Sequence, residues 1–145
     1  MEKKINIRVY GLLINSQNEI LVSDELRFNT PMTKFPGGGL EWGESPIECL
    51  KREFKEELNC SIQVNDLFYI SDFFLESAFH KNVQIISIYY LVTKLDFTPI
   101  TINHYPLYEI DKENHRWISI EKLQESDFTF PFEKKVCQLL KKING

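Results

Sequence analysis

Residues 38–60 read GGLEWGESPIECLKREFKEELNC, and this stretch decides how the rest of the chain is to be read. Ser45 is a residue type that caps a helix, Pro46 suits the first helical position, and Glu48 completes a capping box. Ile47, Leu50, Phe54 and Leu58 follow at helical spacing and predict one apolar stripe. Asn59 comes next and tolerates the left-handed conformation that ends a helix. Opposite the stripe, Glu53, Glu56 and Glu57 stand at i, i+3 and i+4, three carboxylates on one face. Like charges at that spacing destabilise a bare helix, so a cation is expected among them. A hard divalent metal suits carboxylate oxygen best.

Working outward, residues 5–15 (INIRVYGLLIN) and 19–24 (EILVSD) read as two strands, joined by the turn residues 15–18. Residues 25–34 read as a loop leading to three successive glycines, Gly37, Gly38 and Gly39. Residues 61–76 read as extended, and 83–95 (VQIISIYYLVTKL) give the longest strand signal. Residues 96–114 are polar and carry proline, as in a loop, and 115–120 (HRWISI) are a short strand. Phe132, Val136, Leu139, Leu140 and Ile143 share one face of a C-terminal amphipathic helix. Strands before, between and after two helices predict an α/β fold, a mixed β-sheet packed by helices. No linker, repeat or low-complexity tract interrupts 1–145, which reads as a single domain.

The chain has 145 residues, 43% of them hydrophobic and 26% charged, as in ordinary globular domains. A net charge of −4 argues against coating a nucleic-acid polymer. It leaves a small anionic substrate open, because a metal reverses the local field. Cys49, Cys60 and Cys137 are scattered and form no CxxC pair, which reads as free thiols in a reducing compartment. The apolar run 85–92 is too short to span a bilayer, and no signal peptide is read at the N-terminus. The expectation is a cytoplasmic protein, with a homodimer as the prior for a small enzyme.

The spacing within 38–60 is Gly38, five residues, Glu44, seven residues, then Arg52-Glu53-Phe54-Lys55-Glu56-Glu57-Leu58-Asn59-Cys60. It resembles the Nudix box of the Nudix (MutT-like) hydrolases: G, five, E, seven, REU, x, EE, x, G, U. Six fixed positions match, which by chance in a chain of this length happens on the order of 1 in 10^5 times. A solvated acidic helix face explains the three glutamates but not Gly38 and Glu44 in register with them. The departure is Asn59 in place of the closing glycine, and no catalytic group is lost with it.

The resemblance implies an α/β/α sandwich that hydrolyses a diphosphate linkage with Mg2+ or Mn2+ and water. It implies Glu56 and Glu57 as central metal ligands, and Glu53 as a further ligand or the general base. The Gly38 carbonyl is expected at the metal, through a close-approaching loop formed with Gly37 and Gly39. Arg52 reads as an orienter of the motif carboxylates, and Glu44 as support for the loop and the helix N-terminus. Family members often recruit a further carboxylate from a late loop; within 108–113 the choice falls on Glu113 over Glu109. Trp42, a large indole in a polar loop, and Arg27 are candidate substrate contacts.

The marks of ADP-ribose and diadenosine polyphosphate hydrolases are missing at 75–78, which read Leu-Glu-Ser-Ala. Three functions therefore compete. The first is a metal-dependent hydrolase of a nucleoside diphosphate linked to another moiety, such as a (d)NTP or a nucleotide sugar. The second is a Nudix-like domain that binds and senses a nucleotide without turnover. The third is an interaction module with a merely acidic helix. No nucleic acid or membrane partner is expected for the first.

Overall fold

The computed structural model describes residues 2–144. Among the described residues, seven strands and two α-helices follow in order. They are β1 (Lys4–Leu13), β2 (Glu19–Arg27), β3 (Thr30–Lys34), β4 (Gly37–Gly39), α1 (Pro46–Leu58), β5 (Ile62–Ile70), β6 (Val83–Lys94), β7 (Asn114–Ser119) and α2 (Pro131–Asn144). A short 3-10 turn, Glu125–Asp127, precedes α2. The strands form two sheets, one of four in the order β4-β1-β6-β5 and one of three in the order β3-β2-β7. The α/β class read from the sequence therefore stands, with its strands divided between two sheets.

Two compact units result, each built from two separated segments. Residues 2–11 and 37–96 make the first, and residues 12–36 and 97–144 make the second. In the first unit, α1 buries Cys49, Leu50, Phe54 and Leu58. Ile47, placed on the apolar stripe by its spacing, is instead 41% exposed, and Cys49 takes the inward position. A helix face wide enough to cover a sheet needs more than one row of side chains, and Cys packs as a small hydrophobe. On β1, β6 and β5, Tyr10, Tyr89 and Tyr69 make an aromatic row, with ring centroids 5.3 Å apart for Tyr10–Tyr89 and 6.1 Å for Tyr69–Tyr89.

Two loop expectations are corrected by pairing. The stretch 25–34 is not a loop: β2 runs on to Arg27 and turns straight into β3, with Arg27 opposite Thr30. Both residues of the turn are left-handed, Phe28 at φ 48 and Asn29 at φ 60, as a two-residue hairpin requires. Asn29 is a usual residue for that conformation, but Phe28 is not, which hides the turn in the sequence. The glycines 37–39 likewise form a strand, with Gly39 opposite Arg8, Gly38 opposite Val9 and Gly37 opposite Tyr10. Residues 61–76 are extended only in part, because β5 ends at Ile70 and a lone bridge joins Glu76 to Gln84.

The core of the second unit includes Ile20, Leu21, Val22, Phe35, Ile120, Leu123, Phe132, Val136 and Leu140, all at most 2% exposed. Phe35 meets Phe128 with centroids 4.8 Å apart. Among the described residues no helix is long and apolar enough to cross a membrane.

Candidate active site

The geometry begins at the ends of α1. Ser45 Oγ accepts from Glu48 N at 3.1 Å, while Glu48 Oε1 accepts from Ser45 N at 3.1 Å, so the capping box is complete. At the other end Asn59 is left-handed, with φ 51 and ψ 35, and its N–H donates to the Lys55 carbonyl. Asn in place of glycine thus ends the helix as the sequence led us to expect. These two caps fix the length and rotation of α1, and with them the direction of its carboxylates.

Strand β4 lies against that carboxylate face. The Gly37 N–H donates to Glu57 Oε2 at 3.3 Å. A Cβ built on Gly38 would stand 2.5 Å from Glu53 Oε1, so only glycine lets the strand come this close to the carboxylate. On Gly37, whose φ is +147°, a Cβ would strike the Val9 carbonyl oxygen. The matched spacing of Gly38 and Glu53 in the sequence is therefore a contact in space.

Arg52 holds the acidic groups together. Its Nη2 and Nε donate to Glu44 Oε1 and Oε2 at 2.7 and 3.0 Å, a bidentate fork. Its Nη1 reaches Glu53 Oε1 at 3.0 Å and Glu56 Oε2 at 3.2 Å, and Nη2 also donates to the Gly39 carbonyl at 3.1 Å. Hydrogen bonding to Arg52 lowers the Glu44 pKa to about 2, so Glu44 is ionised across the ordinary pH range. Bonding to Glu44 in turn raises the Arg52 pKa. Glu44 also accepts from Glu41 N at 2.8 Å, which ties the loop 40–44 to the helix. Cys49 sits beneath this network with Sγ 3.5 Å from the Gly39 carbonyl oxygen. Burial pushes its thiol up to about 12, so it is a packed group and not a nucleophile.

The remaining sequence candidates are Trp42, Arg27, Glu109 and Glu113. The Trp42 indole is fully exposed, so packing within its own loop is not its role. Arg27 places its guanidinium 5.6 Å from the centroid of the Phe28 ring, at the tip of the β2–β3 hairpin. In the second unit, Glu109 accepts from Asn114 Nδ2 at 3.1 Å and pairs with Lys112 at 3.6 Å. Glu113 pairs through Oε1 with Lys34 at 3.9 Å.

The second unit also holds polar groups that sequence reasoning passed over. Asp24, 1% exposed, receives Arg116 Nε at 2.7 Å, Arg116 Nη2 at 3.2 Å and Thr33 Oγ1 at 2.6 Å. Ser23, next to Asp24 on the chain, and His115, next to Arg116, are buried as well, and burial lowers the His115 pKa. Only the cross-strand register brings these residues together, and no local pattern announces it.

Glu53 and Glu56 share the Arg52 guanidinium, Glu57 accepts from the Gly37 N–H, and carboxylate oxygen is the ligand type that a hard divalent cation prefers. A family model described as the NUDIX domain matches residues 4–140. Over 68 residues the chain is 37% identical to the 8-oxo-dGTP diphosphatase of Escherichia coli (strain K12), a match covering 46% of this chain and 52% of that protein. The chain thus spans about half the length of that curated relative. Solved structures agree in fold. The E. coli ORF135 protein superposes with a TM-score of 0.73 at 17% identity, over 99% of this chain and 93% of that one. The MutT protein from Methanosarcina mazei Go1 gives 0.71 at 23% identity, over 99% and 98%. A NUDIX hydrolase from Nitrosomonas europaea gives 0.69 at 20% identity, over 96% and 89%.

Proposed function

The chain belongs to the NUDIX family of hydrolases, and from that premise we propose that it cleaves, with a divalent metal, the diphosphate linkage of a nucleoside diphosphate joined to another group. Nucleoside triphosphates come first among the substrates to try, because the curated relative is an 8-oxo-dGTP diphosphatase. Nucleotide sugars follow. The observation that carries the reading is the seating of Gly38 against Glu53 while Arg52 gathers Glu44, Glu53 and Glu56. An acidic surface helix without a catalytic task has no use for a strand of bare backbone pressed on its carboxylates.

In this account Glu53, Glu56, Glu57 and the Gly38 carbonyl would hold Mg2+ or Mn2+. When bound, such a cation neutralises phosphate oxygens and acidifies a coordinated water. The side chains do the rest. Glu53, fixed by Arg52 on one side and crowded by Gly38 on the other, is aimed as a ligand or as the base that takes a proton from water. Glu57 is oriented by the Gly37 N–H through Oε2. Arg52 and Glu44 act as positioning residues, holding their neighbours at fixed rotamers without touching substrate. Trp42 offers an exposed ring on which a base can stack, and Arg27 a cation for a phosphate.

The test is hydrolysis across a panel of nucleoside triphosphates including 8-oxo-dGTP, nucleotide sugars, ADP-ribose and dinucleoside polyphosphates, with Mg2+ or Mn2+. Release of phosphate, pyrophosphate or a nucleoside monophosphate from at least one compound is expected. Nucleotide binding without turnover anywhere on the panel would move the chain to a sensing role.

A further inference from the structure

Strand β2 pairs with β3 on one side and β7 on the other, and Ser23 stands opposite Lys34 in one pairing and opposite His115 in the other. Cross-strand partners project from the same face of a sheet, so Lys34, Ser23 and His115 form one row across all three strands. The row is buried: the three residues are 4%, 0% and 5% exposed. Buried polar groups of this kind are nearly always paired, because leaving one unpaired costs its lost hydration. Here three atoms are unpartnered among the described residues: Ser23 Oγ, His115 Nε2 and Glu113 Oε2. Glu113 stands two residues before His115, and Lys34 engages its other oxygen, Oε1, at 3.9 Å.

That division of the carboxylate is informative. The ammonium takes Oε1 and leaves Oε2 free. A carboxylate oxygen of Glu113 and a ring nitrogen of His115 lie within 4.8 Å of each other. Two ligands each about 2.1 Å from one ion stand up to about 4.2 Å apart, so small side-chain rotations suffice to close on it. An anion is disfavoured by the Glu113 charge. A nitrogen lone pair beside a carboxylate oxygen instead suits a first-row transition ion better than Mg2+.

We propose that Glu113 and His115, with Ser23 behind them, bind a divalent transition-metal ion in the second unit, Mn2+ being the probe of choice. The proposal rests on the reading of this chain as metal-dependent and adds a site of its own with a nitrogen ligand, which prefers Mn2+ over Mg2+. Lys34 is the positioning residue, holding Glu113 through Oε1 and leaving Oε2 for the ion.

The experiment is pulsed electron paramagnetic resonance of untagged, full-length protein loaded with Mn2+. Imidazole nitrogen coordination gives 14N modulation of the echo, and the modulation must change when histidine is supplied as 15N. The chain has three histidines, so the double variant H80Q/H104Q leaves His115 alone and is expected to keep the signal. His115→Gln should lose it, with Mn2+ affinity falling on the order of tenfold and Mg2+ affinity by less than about threefold. No histidine nitrogen modulation in the wild-type protein at saturating Mn2+ overturns the proposal and leaves a buried water as the occupant. Survival of the modulation in folded His115→Gln overturns it equally. The two readings fail separately: turnover on the panel without nitrogen coupling sinks only this inference, and coupling without turnover sinks only the hydrolase.

Discussion

Gly38→Ala separates stability from catalysis at a single methyl group. The added Cβ would stand 2.5 Å from Glu53 Oε1, 2.6 Å from Cδ and 2.7 Å from Oε2, whereas ordinary contact begins at 3.4 Å. The carboxylate therefore has to retreat by about 0.9 Å, and Arg52 Nη1, 3.0 Å from Oε1, has to follow or let go. The Gly38 backbone is not left-handed, so alanine is tolerated there apart from this contact. What moves is the far end of a flexible side chain, so the stability cost is about 1 kcal/mol, or roughly 3 °C in Tm. Catalysis is far less forgiving, because a displacement near 1 Å at a reacting group costs on the order of 10²-fold. That is about 2.7 kcal/mol of transition-state stabilisation. The assay is kcat/KM on the best substrate of the panel, beside thermal unfolding of the same preparation. The expected result is a folded protein with about one hundredth of the activity. Activity within about threefold of wild type would refute the reasoning, and so would a loss that follows unfolding alone.

Other substitutions probe the supports of the site. Arg52→Lys keeps the charge but cannot make the bidentate fork to Glu44 while also reaching Glu53, Glu56 and Gly39. It should cost about 1–3 kcal/mol in chemical denaturation and lower kcat more than it raises KM, whereas an unchanged kcat would remove Arg52 from its positioning role. Ser45→Ala removes the acceptor for Glu48 N and should cost about 1 kcal/mol, read as a shift in urea midpoint with unchanged m. In metal-free protein, burial holds the His115 pKa below the ordinary histidine value of about 6.5. The unfolded chain then binds the proton more readily, so the contribution is whole above about pH 6.5 and is lost as pH falls toward the folded midpoint. Denaturation of wild type and His115→Gln between pH 8 and 5 should diverge in that window, and parallel curves would contradict it.

How far the sequence could be read depends on which interactions are local. The α1 caps and its carboxylate face lie within 45–59, and helical periodicity exposes them; the alliance of Arg52 with Glu44 joins the helix to the loop before it, at no helical spacing. The Gly38–Glu53 contact was legible only as a spacing, because its meaning lies in a strand pairing that the three glycines conceal. The 25–34 hairpin was lost to Phe28, which does a turn residue's work without being one. The row Lys34–Ser23–His115 joins three separate strands and has no signature along the chain. Ile47 and Cys49 exchanged places because a binary pattern counts Cys49 only as a thiol and not as a core side chain.

Glu57→Gln tests the central claim most directly. Glutamine preserves the shape of the side chain and an oxygen to accept from the Gly37 N–H, which Glu57 Oε2 now takes at 3.3 Å. What it removes is one negative charge from the proposed metal set. Turnover measured against Mg2+ and Mn2+ concentration should be absent in chelator and fall by several orders of magnitude in the variant, while the fold and its Tm are kept. Turnover that survives the chelator, or that is unchanged in Glu57→Gln, would contradict the account.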